Sequence, residues 1–244
     1  MKLILYLPVL ALLFSSCKKE NLCDCFKGTG KPGVETRDLK GFDRILMEDK
    51  MDVYFSQSPD STFEVKIEGG SHLLKLIKAE VVGNELRLRN DNKCDFMRSY
   101  KKSGIKVHVK APSLSYITNK SVGNFYSENT INGGMIEYDI QNSGDIILSV
   151  NCNTVSGHLH GAGDAIVSGS TLNHSVHSTG QSFVNAENLD TPFCFIYFNS
   201  SGTAKINANA EIFAKLYGSG NVYYKGNPGI ITVERYGKGQ LIPF

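Results

Sequence analysis

Three histidines have the residue types and spacing to do chemistry in this 244-residue chain. His158 and His160 stand two apart, so a strand places both on one face. His177 sits three residues before Gly180, the offset at which His160 precedes Gly163. Stacked in register, His160 and His177 would lie about 5 Å apart. Asp139 or Gln141, one repeat earlier, would complete a weak surface metal site. Polar side chains on an outer face more often form a solvated ladder, and the outer-shell partners of a metal site have no signature here. No metal or other cofactor is assigned.

Carboxylates offer a second chemistry. Asp145 and Asp164 both follow a glycine, and with Asp139 they are the acids that stacked repeats would align. Glycoside hydrolysis needs two carboxylates at a set separation, and a lyase needs an acidic calcium cluster beside a base. An aspartate directly after glycine is more often a turn former. The Asn-Thr-Asp and Gly-His-Gly motifs of polygalacturonases are absent. A pectinase-like, polysaccharide-active enzyme is therefore the alternative and not the principal reading. For binding, Tyr197, Tyr217 and Tyr223 are candidates for an exposed cluster that stacks on a glycan or anchors a protein partner. The chain has no Trp, which lowers the glycan reading.

What must position these residues is a repeat. Gly123, Gly144, Gly163, Gly180, Gly202 and Gly220 recur at separations of 21, 19, 17, 22 and 18 residues. Four residues earlier lie Ile140, Leu159, Val176, Phe198 and Leu216, broken only by Asn119; two residues earlier every side chain is small or an amide. Such a period means one supersecondary unit used repeatedly. A β-solenoid explains it, with glycine at a corner where φ can be positive. The alternative is an antiparallel meander or sandwich with Gly-Asn and Gly-Asp hairpin turns. Ahead of the repeats, Met51–Phe55, Phe63–Ile67, Glu85–Arg89 and Ile105–Val109 alternate apolar and polar residues as half-buried strands do. Leu73–Val82 alone has a helical reading.

The chain opens with Met1-Lys2 and the apolar run Leu3–Phe14, too short for a bilayer span of roughly 20 residues but suited to a signal peptide. Ser15-Ser16-Cys17 then resembles a lipobox, with Cys17 as the lipidated mature N-terminus and Phe14 where an aliphatic residue is usual. Lys18-Lys19-Glu20 favours the outer membrane over inner-membrane retention. The membrane is thus one expected partner, through the lipid. Formal net charge is only +2, with 26 basic against 24 acidic residues, so nucleic acid is not an expected partner. Five cysteines remain beside Cys17 and no bridge is assigned.

Phe42-Asp43-Arg44-Ile45, Met51–Phe55, Ile105–Leu114 and the serial turns Ser143-Gly144-Asp145 and Ser219-Gly220-Asn221 follow in an order that resembles the head GIN domain of auto-transporter adhesins. These exported proteins are common in the Bacteroidetes and frequently lipoproteins. The resemblance spans residues 37–227. It implies a right-handed β-helix-like fold and an adhesin role, and it brings no catalytic residues. The expected organisation is a leader (1–16), a flexible tether (17–38), a solenoid domain (39–227, with repeats from 113) and a closing strand or cap (228–244). The expected role is a non-catalytic adhesin or ligand-binding module, with a purely structural envelope component as a third reading.

Overall fold

Period-two alternation makes strands with one apolar face, and such strands are stable only when that face is buried against another layer. The computed structural model of the protein describes residues 28–92 and 104–244. Its strands are β1 (Pro32–Arg37), β2 (Arg44–Asp49), β3 (Asp52–Gln57), β4 (Glu64–Gly70), β5 (Ile77–Val82), β6 (Glu85–Asn90), β7 (Lys106–Ala111), β8 (Tyr116–Ser121), β9 (Phe125–Ser127), β10 (Ile131–Ile140), β11 (Ile146–Leu159), β12 (Ala165–Ser178), β13 (Val184–Asp190), β14 (Phe193–Phe198), β15 (Ala204–Asn207), β16 (Glu211–Leu216), β17 (Val222–Lys225), β18 (Ile230–Arg235) and β19 (Leu241–Pro243). They form two parallel stacks. The first runs β6-β2-β8-β10-β11-β12-β14-β16-β18. The second runs β7-β3-β9-β11-β12-β13-β15-β17-β19. Consecutive repeats pair in parallel, so the chain is a solenoid and the hairpin alternative falls.

The N-terminal end is sealed. Between the first coil (β2, β3) and the second (β8, β9), the chain lays β5 antiparallel on β6 and β4 antiparallel on β7, and β1, which precedes the first coil, pairs antiparallel with β4. The helical reading of Leu73–Val82 shrinks to one turn, α1 (Ser71–Leu74), whose Leu73 and Leu74 are buried, while Ile77–Val82 is the strand β5. The β-branched residues at its end prefer a pleated surface. The opposite end is open. Ile231 and Val233 lie over the core residues Ile212 and Ala214, yet they are 43% and 42% exposed, because no coil among the described residues covers them. Arg235 in the core-facing column and Pro243 on β19 blunt these edges against strand addition.

The corner glycines are needed for a different reason from the one the spacing suggests. None of the six has a positive φ. A Cβ on Gly144 would instead stand 1.9 Å from the Gly123 carbonyl oxygen, and one on Gly163 or Gly220 would meet the previous corner's oxygen at 2.1 and 1.8 Å. Close coil-on-coil approach excludes a side chain. The same contacts re-align one repeat. Gly180 lies over Gly161, whereas Gly202 lies over Ser182, so Ser182 and not Gly180 occupies the fourth corner. Corner spacing is then 21, 19, 19, 20, 18 and 19 residues through Gly239. The lengthened coil contains a bulge, seen as a register shift between Ile166 and Ser168 against β13. Asn119, off pattern in the sequence, is buried at the first corner, where its Nδ2 donates to the Gly123 oxygen and its Oδ1 accepts from Ser121 N–H.

Candidate binding face

The aromatic surface begins with β14, Phe-Cys-Phe-Ile-Tyr-Phe. Cys194, Ile196 and Phe198 point into the core, so Phe193, Phe195 and Tyr197 must point out, and each is about two-fifths exposed. Parallel register then sets their neighbours. Phe195 lies beside Phe213 and Phe213 beside Thr232; Tyr197 lies beside Lys215 and Lys215 beside Glu234; Phe193 lies beside Glu211 and Glu211 beside Ile230. One column over, just past the strand ends, Tyr217 and Tyr236 follow each other. The rings form a continuous pile: His177 to Tyr197 at 4.5 Å edge-on, Tyr197 to Tyr217 at 4.7 Å, and Tyr217 to Tyr236 at 4.6 Å with only 12° between planes. Each stacked ring hides its neighbour's face, so the pile shows edges and hydroxyls. Tyr236, 63% exposed, keeps one face free of any other ring.

Charge on this half is sparse, and its one cation in register, Lys215, is paired. Lys215 Nζ lies 3.0 Å from Glu234 and 5.5 Å above the Phe213 ring. The Tyr236 hydroxyl donates to Glu234. Glu234 accordingly holds the Lys215 ammonium above its usual pKa, and Lys215, then Tyr236, hold the Glu234 carboxyl below its own.

The lower half of the same face carries the histidines. His177 pairs directly with His158, not with His160 as the glycine offset predicts, because Gly180 is displaced by two residues from its corner. His160 instead meets Thr179, with Nδ1 3.0 Å from its hydroxyl. The three imidazoles still cluster, with centroids 5.9 to 6.4 Å apart. Burial lowers the His177 pKa first, and the neighbouring His158 and His160 lower it further.

Three candidates are not brought to this face. Tyr223 belongs to the second stack, between Lys205 and Ile242, and touches Phe244. Asp145 and Asp164 sit at the corner and cap backbone: Asp145 Oδ1 accepts Asp164 N–H and Asp164 Oδ1 accepts Phe183 N–H, both at 2.9 Å. Asn124 and Asn221 do the same for Asp145 and Gln240. The residue after each corner glycine is thus often an inter-coil cap. Those carboxylates are committed to amides rather than poised as an acid–base pair. Cys17, Cys23, Cys25 and Cys94 lie outside the described residues; Cys152 and Cys194 are free thiols in the core. No helix among the described residues is long and apolar enough to cross a membrane.

Comparison with known proteins fits this architecture. The model of a family described as "Putative auto-transporter adhesin, head GIN domain" matches residues 41–228. The chain belongs to the head GIN domain family. A similar solved structure is a "putative adhesin" of Bacteroides fragilis, at 25% identity and TM-score 0.81, covering 88% of this chain and 97% of that one. A "putative lipid binding protein" of Parabacteroides distasonis follows at 20% identity and TM-score 0.66, covering 88% and 98%. A "putative adhesin" of Parabacteroides merdae shares the fold at 18% identity and TM-score 0.61, covering 89% and 98%. No curated protein matches. The head GIN domain family is one of adhesin-like, envelope or extracellular proteins, and its solenoid architecture is the one described above.

Sequence reasoning missed Tyr236, Phe195 and Phe213. The signal for Tyr236 was present: it stands three residues before Gly239 as Tyr217 stands before Gly220. Gly237-Lys238-Gly239 is the last corner of the solenoid.

Proposed function

We propose that this head GIN domain protein is an exported, lipid-anchored binding module that acts without catalysis, and that it engages its ligand through the outer face of β14, β16 and β18. The observation that carries this reading is the contiguous aromatic cluster of exposed Phe193, Phe195, Tyr197 and Tyr236 with half-buried Phe213 and Tyr217 between them. Large apolar patches on a soluble surface mark interaction sites, and aromatic residues dominate the energetics of such sites. Sugars usually lie on open ring faces, and this pile covers its own faces, which supports a protein ligand over a glycan. The leader and Cys17 support export and anchoring at the outer membrane.

Two experiments test the reading. The full chain is presented to a glycan array and to envelope proteins, alongside Phe195→Ser and Tyr236→Ala. Binding without turnover that falls at least tenfold in the variants supports the face; unchanged binding, or release of reducing or unsaturated sugar, sinks it. Cys17→Ala should release the protein from membranes, and unchanged partitioning refutes the anchor.

A further inference from the structure

The two ends of the solenoid are finished differently. A stacked fold needs a cap at each end, because the last coil otherwise shows its core to water. β1, β4, β5 and α1 supply one at the N-terminal end. At the other end no strand among the described residues pairs with the outer edge of β18, and Ile231 and Val233 of the core column stand exposed there. The segments outside the described residues attach elsewhere. Residues 1–27 join the chain at Gly28, whose carbonyl oxygen lies 2.8 Å from His72 Nδ1 at the sealed end. Residues 93–103 run between β6 and β7, the outermost parallel strands of that same end.

The free edge has a definite pattern. Ile230 N–H donates to the Ala210 oxygen and Tyr236 N–H to the Leu216 oxygen, so the even-numbered residues of β18 spend their amides on β16. In a parallel ladder the alternate residues turn theirs away, which leaves Ile231, Val233 and Arg235 to bond a strand on the outer side. We propose that this strand is β18 of a second copy of the chain, antiparallel about a two-fold axis at Thr232. That register sets Ile231 opposite Val233 of the partner subunit, and Val233 opposite the partner's Ile231, with the amides of both aimed across the gap. Thr232 meets the partner's Thr232, a favourable cross-strand pair. Arg235, which blunts the edge, falls opposite the partner's Gly229, a position where a Cβ would have only the Ala210 oxygen near it, at 3.9 Å. A two-residue slip one way sets Arg235 against Ile231, and the other way leaves only residues 230–232 paired, so the edge specifies its register. Because the axis runs through β18, β19 meets no second β19, and Pro243 does not obstruct the pairing. The pairing is isologous and the N-terminal ends are sealed, so growth stops at two. Phe195, Phe213 and Thr232 would then continue as one row into the partner's Thr232, Phe213 and Phe195.

Thr232→Cys reads the axis directly. Facing residues of a non-hydrogen-bonded antiparallel pair have Cα atoms about 4.5 Å apart, within the span of about 4.4 to 6.8 Å that a disulfide bridges. Mild oxidation of the full chain carrying that substitution, in detergent, is expected to give a covalent dimer whose peptide map shows a 232–232 link. Sedimentation of the unchanged chain in density-matched detergent should show a dimer. Val233→Arg sets a charge against the partner's Ile231 and should weaken that dimer about tenfold or more, with the thermal melt in place. A chain that stays monomeric at its highest soluble concentration overturns the proposal. So does a dimer that Val233→Arg leaves intact, or the absence of the 232–232 link. Phe195→Ser should leave the dimer whole; a dimer lost in that variant would put the contact on the aromatic face and overturn the end-to-end pairing. Association is read without any ligand of the aromatic face, so either proposal can fail alone.

Discussion

Two halves of one sheet face share a backbone and differ in everything their side chains do. On β10, β11 and β12 the outward rows are Met135, Thr154 and Asn173, then Glu137, Ser156 and Ser175, then Asp139, His158 and His177; on β14, β16 and β18 the same rows continue as Phe193, Glu211 and Ile230, then Phe195, Phe213 and Thr232, then Tyr197, Lys215 and Glu234. Rung spacing is common to both, so the polar half collects nitrogen and oxygen donors while the aromatic half piles rings. A solenoid thus separates geometry from chemistry. The coil places side chains about 4.8 Å apart along each column, and the residue type decides what that spacing produces.

If corner packing sets the rungs for both halves, the largest effect should come from the corners. Gly144→Val puts a side chain where the Gly123 carbonyl oxygen stands, and a destabilisation of about 3 kcal/mol or more is expected in a denaturant melt. Binding through the aromatic face should fall with the fold. Gly133→Ala, at a position with nothing within 4 Å, serves as the control and should change stability little.

The next largest effect lies under the boundary between the halves. His174 is fully buried, its Nε2 lacks a partner, and burial pushes its pKa down to about 4. The unfolded chain, with an ordinary histidine pKa near 6.5, binds the proton more readily, so stability is complete above about pH 6.5 and declines as pH falls to 4. A loss of about 3 kcal/mol across that window is expected from this residue. His174→Leu should flatten this part of the pH profile, and an undiminished acid slope in that variant would assign the loss elsewhere.

Smaller effects separate the halves. Tyr217→Ala removes a ring sandwiched between two others and should cost about 1 to 3 kcal/mol, with binding lost as well. His160→Ala should leave the melt and the aromatic half's binding unchanged. Smallest of all is Lys215→Met. Its ion pair with Glu234 is solvent-exposed, so no resolvable shift in the thermal midpoint is expected.

Much of the fold was legible before any coordinates. The glycine period marked the coils, and the apolar residues four before each glycine, Ile140, Leu159, Val176, Phe198 and Leu216, marked the core side, because a strand's side chains change face at every residue. The terminal cap was harder to read. Leu73–Val82 has too little period to reveal that only Ser71–Leu74 turns helical and Ile77–Val82 pairs with β6. The binding face was half visible: Tyr197, Tyr217 and the histidines were found, whereas Tyr236 was hidden behind an unrecognised last corner at Gly239.

By itself the sequence determined that coils repeat, which residues face inward, and that close-packed corners recur. Tertiary structure decided which residues share a rung. Gly180 stands two positions ahead of the corner that Ser182 occupies, and a two-residue slip preserves the inside–outside alternation completely. Pattern alone therefore cannot detect it. Only coil-on-coil contact shows that His177 rests on His158, that Tyr223 faces away from Tyr217, and that the carboxylates after the glycines cap backbone amides.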